Sequence, residues 1–499
     1  MGTDVQRERE FKLIVTPDAV LPDLDGISGL RVQKIESRDL VATYWDTPQL
    51  SLARWGSTLR HRNDQGWCAK LDTGSAGAAL AREEVVIAGA DDVPPDEIAG
   101  VLRAFIRGRE LQPIAELGAS RDVFRITDAA GAPIGIITDD LVDATGVAVA
   151  MPQFREIEIE LADEVDESVV EPLLAQLAEA GADGSDPRPK LLRALGLPSQ
   201  PVAEVVIPTV SEYPTAREVI HAAIASSVAR LIRHLPIAWL GEDPEGVHQA
   251  RVAMRRLRSD LRTFGVLIDR RLASDLRSEL SWLGSVLGAV RDADVLMINV
   301  ATIGASSDDI DAESFAALED ELERHLGQCS NAMREAIMSE RAGSLLDALV
   351  AASANPHTAP QADDPAQELM TASVRRRWLR MRRAGRGLSD TSADSDLHAL
   401  RIQAKRVRYA AEAVEPAIGG NAARLAKAAA KVQSSLGELN DAVVATELLG
   451  RIAGSGGPAA FAAGQVSGLM IARGQEDRGR WERRWKKLDR RRNTEWLNQ

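Results

Sequence analysis

Residues 154–161 read FREIEIEL, and from Glu156 onward acidic and apolar side chains alternate without a break. Residues 8–13, EREFKL, likewise carry a charged side chain at every second position. Successive side chains of a β-strand point to opposite faces, so Glu156, Glu158 and Glu160 share one face of a strand. Both stretches therefore predict strands with one charged face and one mainly apolar face.

Further alternating stretches lie at residues 57–62 (STLRHR) and 66–71 (GWCAKL), and turn-forming residues separate them. Helical patterns fit residues 95–107 and 167–180. Because consecutive strands joined by short turns pair in antiparallel fashion, residues 1–200 are expected to form an antiparallel sheet with flanking helices.

Two interpretations of the charged faces are open. Each could be the solvated outer side of a sheet, the commoner arrangement for any single strand. However, three glutamates on one face repel one another unless a cation lies among them, and other strands carry Arg60, Arg62 and Lys70. A closed barrel with these faces inward would have acidic and basic walls. Such a lumen suits a polyphosphorylated substrate, because carboxylates bind Mg²⁺ or Mn²⁺ and Arg and Lys bind phosphate oxygens.

Residues 8–12, EREFK, match the ExExK signature of the CYTH superfamily, the triphosphate tunnel metalloenzymes. Further matches follow in order over about the first 200 residues: Tyr44–Thr47, Leu59–Arg62, Lys70, Arg82–Glu84, Arg121, Asp139–Asp140, Glu156–Leu161 and Lys190. The first motif alone is a weak signal, but the ordered set is specific, and this part of the chain resembles a CYTH domain. The resemblance implies an eight-stranded antiparallel tunnel that binds a triphosphate with a divalent metal.

The resemblance also implies roles for individual side chains. The expected metal ligands, for Mg²⁺ or Mn²⁺, are Glu8, Glu10, Glu84, Asp140, Glu156, Glu158 and Glu160. The expected phosphate-binding residues are Lys12, Arg60, Arg62, Lys70, Arg121 and Lys190. Catalysis is assigned to Glu156 and Glu158, which would hold the metal that activates the attacking water, with Lys12 as an assistant.

Two details of register stay open, because neighbouring residues of a strand face opposite sides. Either Glu83 or Glu84 faces inward, and we favour Glu84. Asp139 and Asp140 likewise cannot both face the lumen. The aromatic side chains of Trp55, Trp67 and Phe154 are assigned to packing.

From residue 215 onward the pattern is helical, which predicts an all-α domain after a linker at residues 201–214. The stretch VHQARVAMRRLR at residues 247–258 returns, 150 positions later, as LHALRIQAKRVR at residues 397–408. About 35 residues after each copy comes a second pair of motifs, LGAVRD and LGELND. The helical part is therefore predicted to be a duplicated bundle with halves at about 215–350 and 366–499, and the whole chain an α+β protein.

At helical spacing each copy forms a basic ridge. The first ridge consists of His248, Arg251, Arg255, Arg258 and Arg262, and the second of His398, Arg401, Lys405 and Arg408. A single Arg-rich face is more often a solvated surface than a site, and a lone histidine is more often structural. Two matching ridges, for which we expect no acidic partners at i+4, repel within each helix and suggest a bound polyanion.

The repeated pattern His-x-x-Arg-x-x-x-[Lys/Arg]-Arg-x-Arg resembles the signature of CHAD, the conserved histidine α-helical domain. The resemblance implies two pseudo-symmetric four-helix bundles and a basic cavity that binds inorganic polyphosphate, with His248 and His398 in that cavity. Over nearly its full length the chain resembles a CYTH–CHAD fusion. The resemblance also implies that the polyphosphate-binding residues are those of the two ridges other than Arg262, namely His248, Arg251, Arg255, Arg258, His398, Arg401, Lys405 and Arg408.

Charge and composition bear on the function and on the compartment. The net charge is −14, and residues 1–200 hold 35 of the 74 acidic but only 20 of the 60 basic side chains. This negative charge, with few aromatic residues, disfavours nucleic acid as a partner. The two cysteines, Cys68 and Cys329, cannot form a disulfide framework, and neither a signal sequence nor a membrane span is apparent. We therefore expect a cytoplasmic protein, in one hypothesis associated with polyphosphate granules.

Three functions remain in view. The first is an inorganic triphosphatase whose helical domain binds polyphosphate. The second is a polyphosphate-binding or granule-associated protein whose tunnel is weakly active or inactive. The third, less favoured, is the chemistry of a thiamine triphosphatase or a class IV adenylyl cyclase in the same tunnel, for which nothing in the sequence identifies a base pocket.

Overall fold

A computed structural model of the chain describes residues 4–62, 64–72, 80–87, 93–146, 149–162, 165–182, 188–198, 202–306, 310–454, 456–476 and 479–498. Of residues 4–9, 80–84, 438–444 and 473–476 it describes the backbone alone. The chain forms two units, Met1–Glu204 and Val205–Gln499.

The first unit is built around a closed barrel of eight strands. They are β1 (Asp4–Val15), β2 (Arg31–Asp46), β3 (Thr58–Arg62), β4 (Gly66–Asp72), β5 (Leu80–Ile87), β6 (Gln112–Thr127), β7 (Pro133–Thr145) and β8 (Gln153–Leu161). Each strand pairs with its neighbours in antiparallel fashion, in the order β1-β5-β4-β3-β2-β6-β7-β8. The predicted eight-stranded antiparallel barrel is confirmed.

The apolar core of this unit lies against the apolar faces of the strands. Leu13 of β1 and Ile157 and Ile159 of β8 are buried in one cluster with Leu173 and Leu177, which belong to a short helix. The helices of the unit are α1 (Ser51–Arg54), α2 (Asp96–Ile106), α3 (Glu171–Glu179) and α4 (Lys190–Ala194). Because α3 covers these apolar side chains, the alternate, charged side chains of β1 and β8 are left for the opposite face of the strands.

A second apolar cluster fixes the short helix α4. Leu191, Ala194 and Leu195 pack with Tyr44 and Phe154 on the barrel strands. Lys190, the first residue of α4, is thereby held next to the charged faces of β7 and β8. The other two aromatic residues assigned to packing, Trp55 and Trp67, are also buried.

The second unit consists of helices. They are α5 (Ala216–Leu240), α6 (Pro244–Thr263), α7 (Arg270–Gly304), α8 (Ala312–Met338), α9 (Glu340–Ala354), α10 (Ala366–Gly385), α11 (Asp394–Ile418), α12 (Gly420–Ala453), α13 (Pro458–Glu476), α14 (Arg480–Leu488) and α15 (Arg491–Thr494). Capping side chains begin several of them: Thr215 accepts a hydrogen bond from the N–H of Glu218, and Asp269 one from that of Leu272. Among the described residues, every helix falls short of the length and apolarity that a bilayer crossing requires.

The duplication seen in the sequence is present in the helices. Helices α5 to α8 pack in succession, and so do α10 to α13, while α6 packs against α11. The two copies of the basic motif lie on these contacting helices, α6 and α11. The start of α10 follows that of α5 by 150 residues, and the start of α12 follows that of α7 by the same number. The two predicted four-helix bundles are thus confirmed as equivalent halves.

Candidate functional site

Four carboxylates from three strands converge in the first unit and form what we call the carboxylate wall: Glu10 of β1, Asp140 of β7, and Glu156 and Glu158 of β8. The sheet register places Asp140 opposite Glu156, and Lys12 opposite Glu158. Asp140 and Glu156 are fully buried and Glu10 is 5% exposed. Burial of several like charges requires cations nearby.

Two lysines supply those cations. Lys12 Nζ donates to Glu158 and lies 3.5 Å from Glu10 Oε1 and 3.9 Å from Glu156 Oε1. Lys190 Nζ lies 2.6 Å from Glu156 Oε1 and 3.0 Å from both Asp140 Oδ2 and Glu158 Oε1. The two ammonium groups therefore bridge all four acids of the wall.

Two arginines complete the network. Arg121 makes a bidentate pair with Asp140, at 2.7 Å from Nε and 2.6 Å from Nη2, and its Nη2 is 3.9 Å from Glu158 Oε2. Arg193 Nη1 is 3.3 Å from Glu156 Oε2, and its guanidinium stacks 5.2 Å over the ring of Phe154. Arg193 was missed in the sequence, although its place three residues after Lys190 puts both on one side of α4.

The charges of the network fix its protonation. Burial raises the pKa of Glu158, but the attraction of Lys12, Lys190, Lys70 and Arg121 outweighs it and holds that pKa well below its ordinary value. Burial likewise raises the pKa of Asp140, while Lys190 and Arg121 lower it more. For Lys190, burial lowers the pKa, and Glu156, Glu158 and Asp140 raise it well above the usual range. At neutral pH Glu158 and Asp140 are ionised and Lys190 is protonated.

The remaining expected phosphate-binding residues lie in different surroundings. Lys70 is among the cations that lower the pKa of Glu158, and Arg60 is among the charges that act on Arg121, so both are near the network. Arg62, in contrast, pairs with Asp64, 2.6 Å from Nε to Oδ1. This pairing places Arg62 at the β3–β4 turn, and the structure does not bring it to the carboxylate wall.

The structure decides the strand register at Asp139 and Asp140, whereas the choice between Glu83 and Glu84 stays open. Asp139 pairs with Arg155 through two hydrogen bonds of 2.8 and 2.7 Å, on the opposite side of β7 from Asp140. Asp140 is thus the residue that joins the carboxylate wall. Glu160 is exposed, two residues beyond Glu158 on the same face of β8. The side chains of Glu8, Glu83 and Glu84 lie outside the described residues, although the backbone of Glu84 is opposite Lys70.

The chemistry of the carboxylate wall suits a hard divalent cation, because its acids offer only oxygen ligands. Both oxygens of Glu156 are buried, and neither contact with Lys190 or Arg193 has hydrogen-bond geometry. Within the part of the chain that the structure describes, no three acidic, His or Cys side chains are grouped closely enough to hold a metal ion. Lys12 and Lys190 lie between the acids, so a cation can enter only if a lysine gives up a carboxylate partner.

The helical unit contains a cavity of about 650 Å³, which we call the basic cavity. Its charged and ring-bearing lining residues are His248, Arg251, Arg255, Arg291, Asp292, His325, Arg401, Lys405, Glu447 and Arg451. Both basic ridges contribute, since Arg251 and Arg255 come from α6 and Arg401 and Lys405 from α11. The cavity therefore has more positive than negative side chains around it, as a polyanion site requires.

The first ridge is anchored by its own neighbours. Arg251 Nη1 is 3.0 Å from Asp292 Oδ1 and 3.3 Å from the carbonyl oxygen of Gly288. Arg255 Nε donates to the hydroxyl of Tyr409 at 2.9 Å, which ties α6 to α11. Burial lowers the pKa of His248, and the nearby arginines lower it further against the opposing effect of Glu245. His248 is therefore neutral at pH 7.

Part of the expected polyphosphate-binding set is corrected by the structure. His398 is exposed and does not line the basic cavity, and neither Arg258 nor Arg408 lines it. Arg408 Nε is held by Glu412 Oε1 at 2.7 Å, one helical turn along α11. The expectation that the ridges have no acidic partner at i+4 is therefore wrong at this position. Arg291, which does line the cavity, belongs to the repeated LGAVRD motif, and that motif could have indicated it.

Two family models match the chain. The CYTH domain model matches residues 6–186, and the CHAD domain model matches residues 222–450. The chain is a fusion of a CYTH domain and a CHAD domain. The CYTH match places the first unit among the tunnel-type phosphoryl-transfer enzymes, a family that is generally dependent on a divalent metal. The resemblance found in the sequence motifs is thus confirmed.

Similar proteins are known from bacteria and a plant. The uncharacterized proteins Rv2226 and MT2285, from two strains of Mycobacterium tuberculosis, are 29% identical over 465 residues, which is 89% of this chain and 88% of theirs. Among solved structures, PptA from Streptomyces chartreusis has a TM-score of 0.46 and 19% identity, covering 55% of this chain and 99% of its own. The CHAD domain from the plant Ricinus communis has a TM-score of 0.45 and 27% identity, covering 59% and 95%.

Proposed function

We propose that the CYTH–CHAD chain hydrolyses inorganic triphosphate in the barrel, with Mg²⁺ or Mn²⁺, and binds polyphosphate through the helical unit. The observation that carries the first part is the buried network of Lys12, Lys190 and Arg121 on the carboxylate wall. Few folds hold so many ionised groups away from water unless the groups act on a charged ligand. A triphosphate with its metal matches both signs of charge.

The side chains would divide the work by charge. Glu10, Asp140, Glu156 and Glu158 would hold the divalent cation, which when bound supplies charge neutralisation at the phosphates and a more acidic water. Arg121 uses Nε and Nη2 on Asp140, so its Nη1 group remains for a phosphate oxygen. In phosphoryl transfer such positioning and charge neutralisation provide most of the rate enhancement.

Lys12 and Lys190 would act as hydrogen-bond donors to phosphate oxygens. The raised pKa of Lys190 makes it a poor general base at neutral pH, so its part is to bind phosphate oxygens and orient Glu156 and Glu158. Lys12 contacts Glu158 directly and is nearly buried, which fixes its ammonium group beside the acids.

Turnover of inorganic tripolyphosphate tests the first part of the proposal. Purified full-length protein should release phosphate in Mg²⁺ or Mn²⁺ and not in EDTA. Glu156→Gln and Glu158→Gln should each lower the rate by at least about a hundredfold, because each removes a carboxylate ligand for the metal from the wall. Glu171→Gln, on the exposed side of α3, is the matched control and should keep full activity. Unchanged turnover in both wall variants would refute the site.

The second part of the proposal rests on the basic cavity. Arg251 and Arg401, one from each ridge, both line it, so the double variant Arg251→Glu/Arg401→Glu reverses charge on both sides. We expect weaker binding of long-chain polyphosphate, with tripolyphosphate turnover unchanged. Loss of turnover together with binding would mean that the two functions share one site. Competition by DNA across a salt series checks that the preference is for polyphosphate.

The alternative functions predict other results. Polyphosphate binding without any metal-dependent phosphate release would favour a binding or granule-associated protein. Faster turnover of thiamine triphosphate, or formation of cyclic AMP from ATP, would assign the barrel to thiamine triphosphatase or class IV adenylyl cyclase chemistry. A panel of these substrates under identical metal conditions separates the three possibilities.

A further inference from the structure

Five arginines that do not line the basic cavity cluster in the helical unit. They are Arg258 and Arg262 of α6, Arg277 of α7, Arg377 of α10 and Arg406 of α11, and we call them the arginine cluster. Each of these side chains, through its charge, lowers the pKa of at least one other or has its own pKa lowered by one. Burial lowers the pKa of Arg262, and the charges of Arg277, Arg406 and Arg258 lower it further. Four helices therefore bring like charges together.

The cluster has no acid to balance it among the described residues. Ion pairs join several other arginines of this unit to acids, but none joins these five to an acidic side chain in the described ranges. Arg377 of the cluster acts on one buried acid, Asp260, whose pKa burial nevertheless raises to about 8. At neutral pH Asp260 is therefore mainly protonated and does not neutralise the arginines.

Buried donor groups distinguish part of this cluster from a solvated basic surface: Arg377 is buried, Arg258, Arg277 and Arg406 are half-buried, and Arg262 is exposed. Arg377 is only 8% exposed, and its buried Nη2 has no hydrogen-bond partner in the structure as described. The buried Nε groups of Arg277 and Arg406 likewise have no hydrogen-bond partner among the described residues. Burial lowers the pKa of Arg377, and the neighbouring arginines bring it to about 10. On a solvated face, water would serve these donors.

The duplicated halves provide an internal comparison, because residues 150 positions apart are equivalent. The equivalents of Arg258, Arg262 and Arg406 are Arg408, Glu412 and Arg256. There Glu412 pairs with both arginines, at 2.7 Å from Arg408 Nε and 3.5 Å from Arg256 Nη1. The position of this neutralising glutamate is taken by Arg262 in the cluster. At one of the two equivalent positions Glu412 forms ion pairs, and at the other Arg262 adds a positive charge.

Repulsion among the five guanidinium groups destabilises the free protein unless an anion compensates it. Arginine presents a planar fork of N–H donors that matches phosphate oxygens two at a time. Arg277 and Arg377 bring buried donors to the cluster from two helices other than those of the ridges. A compact oxyanion can contact several such forks at once.

We propose that the arginine cluster is a second phosphate-binding site, present at one of the two equivalent positions where the halves of the CHAD domain meet and separate from the basic cavity. Its ligand is a phosphate group, either of free pyrophosphate or of a polyphosphate chain that also occupies the cavity. Seven residues separate Arg255 of the cavity from Arg262 of the cluster, about 10 Å along α6, so one chain can reach both. Binding of a polyphosphate chain at the cluster rests on the proposed function, whereas binding of free pyrophosphate does not.

The test is the full-length double variant Arg262→Gln/Arg406→Gln, compared with Arg256→Gln in the equivalent, ion-paired position. Isothermal titration with pyrophosphate and fluorescence anisotropy with long-chain polyphosphate measure the two sources. We expect the double variant to lose roughly tenfold or more in affinity for at least one of them, since charge-assisted hydrogen bonds are removed. Weaker binding of pyrophosphate would identify free pyrophosphate as a ligand of the cluster. Weaker binding of long-chain polyphosphate alone would identify the polyphosphate chain as the ligand. Arg256→Gln should bind both ligands as the parent protein does.

Thermal unfolding separates a binding role from a structural one. Without phosphate, the double variant should have an unchanged or higher Tm, because repulsion is relieved, and its Tm should rise less than that of the parent when pyrophosphate is added. Unchanged affinity for both ligands would overturn the proposal, as would an equal loss in Arg256→Gln. Arg251→Glu/Arg401→Glu tests the cavity separately: pyrophosphate binding that survives in that variant and is lost in Arg262→Gln/Arg406→Gln belongs to the cluster and not to the cavity or the barrel.

Discussion

Lys190 in the barrel and Arg377 in the helical unit are both buried cations, and their surroundings are opposite. Lys190 lies within 3.0 Å of three carboxylates. Arg377 instead has its pKa lowered by burial and by four neighbouring arginines. A ligand of the barrel must compete with the protein's own counter-ions, which favours a ligand that carries both phosphate and metal. A ligand of the helical unit supplies the missing negative charge by itself.

Removal of Lys190, which contacts three carboxylates of the barrel, should have the largest effect on stability. Lys190→Met leaves Asp140, Glu156 and Glu158 without their common partner, and one broken buried ion pair costs about 3–5 kcal/mol. We expect a decrease of this size in the free energy of unfolding, measured by urea denaturation. Lys34→Met is the matched control, because Lys34 pairs with Asp122 on the surface, and its loss should cost about 0–1 kcal/mol. Equal losses in the two variants would contradict the buried network.

The pH dependence of stability should differ between the two units. Glu158 and Asp140 have lowered pKa values, so their contribution is full above their ordinary values of 4.5 and 3.8 and is lost as the pH falls through the folded-state values. Lys190 has a raised pKa, so its contribution is full below 10.5 and is lost only at higher pH. Between pH 5 and 8 these three groups therefore do not make the free energy of unfolding depend on pH.

Asp260 of α6 should make the free energy of unfolding depend on pH between pH 5 and 8. Its pKa is raised from 3.8 to about 8, so the folded state binds more protons than the unfolded state between these values and stability falls as the pH rises. The slope from one group is at most about 1.4 kcal/mol per pH unit. Asp260→Asn should remove it, so urea denaturation from pH 5 to 8 should show the variant gaining stability relative to the parent. A constant difference across this range would mean that Asp260 does not titrate there.

The smallest of these effects is expected at Arg193, which contacts Glu156 and not, in our account, the substrate. Arg193→Met should lower kcat for tripolyphosphate roughly tenfold with KM little changed, because Glu156 loses a partner that orients it. Arg193→Lys keeps the charge and should recover part of the rate. A rise in KM alone would instead place Arg193 in direct contact with the phosphates.

The sequence predicted the parts of the fold that have a strict period. Alternation at 8–13 and 154–161 was sufficient for β1 and β8, and the repeat of 150 residues was sufficient for the two helical halves. The resemblance placed Asp140 among the metal ligands, but the strand period left Asp139 and Asp140 equally possible until Arg155 is seen to hold Asp139. Period alone cannot choose between them.

The sites were predicted less completely than the fold, because they depend on contacts between distant residues. Arg193 had no motif of its own, and its partner Glu156 is on another element. In the second ridge, the motif suggested a role for His398 and Arg408 in the cavity, but an exposed position and the pair with Glu412 remove them from it. The arginine cluster required the packing of four helices to be known.

The most direct test of the account measures both activities in the same preparations of two variants. Glu158→Gln should lose metal-dependent release of phosphate from tripolyphosphate and still bind long-chain polyphosphate as the parent does. Arg251→Glu/Arg401→Glu should do the reverse. This crossed result would assign catalysis to the barrel and binding to the helical unit. If both variants lost the same activity, or if Glu158→Gln kept its turnover, the division of function between the two units would be wrong.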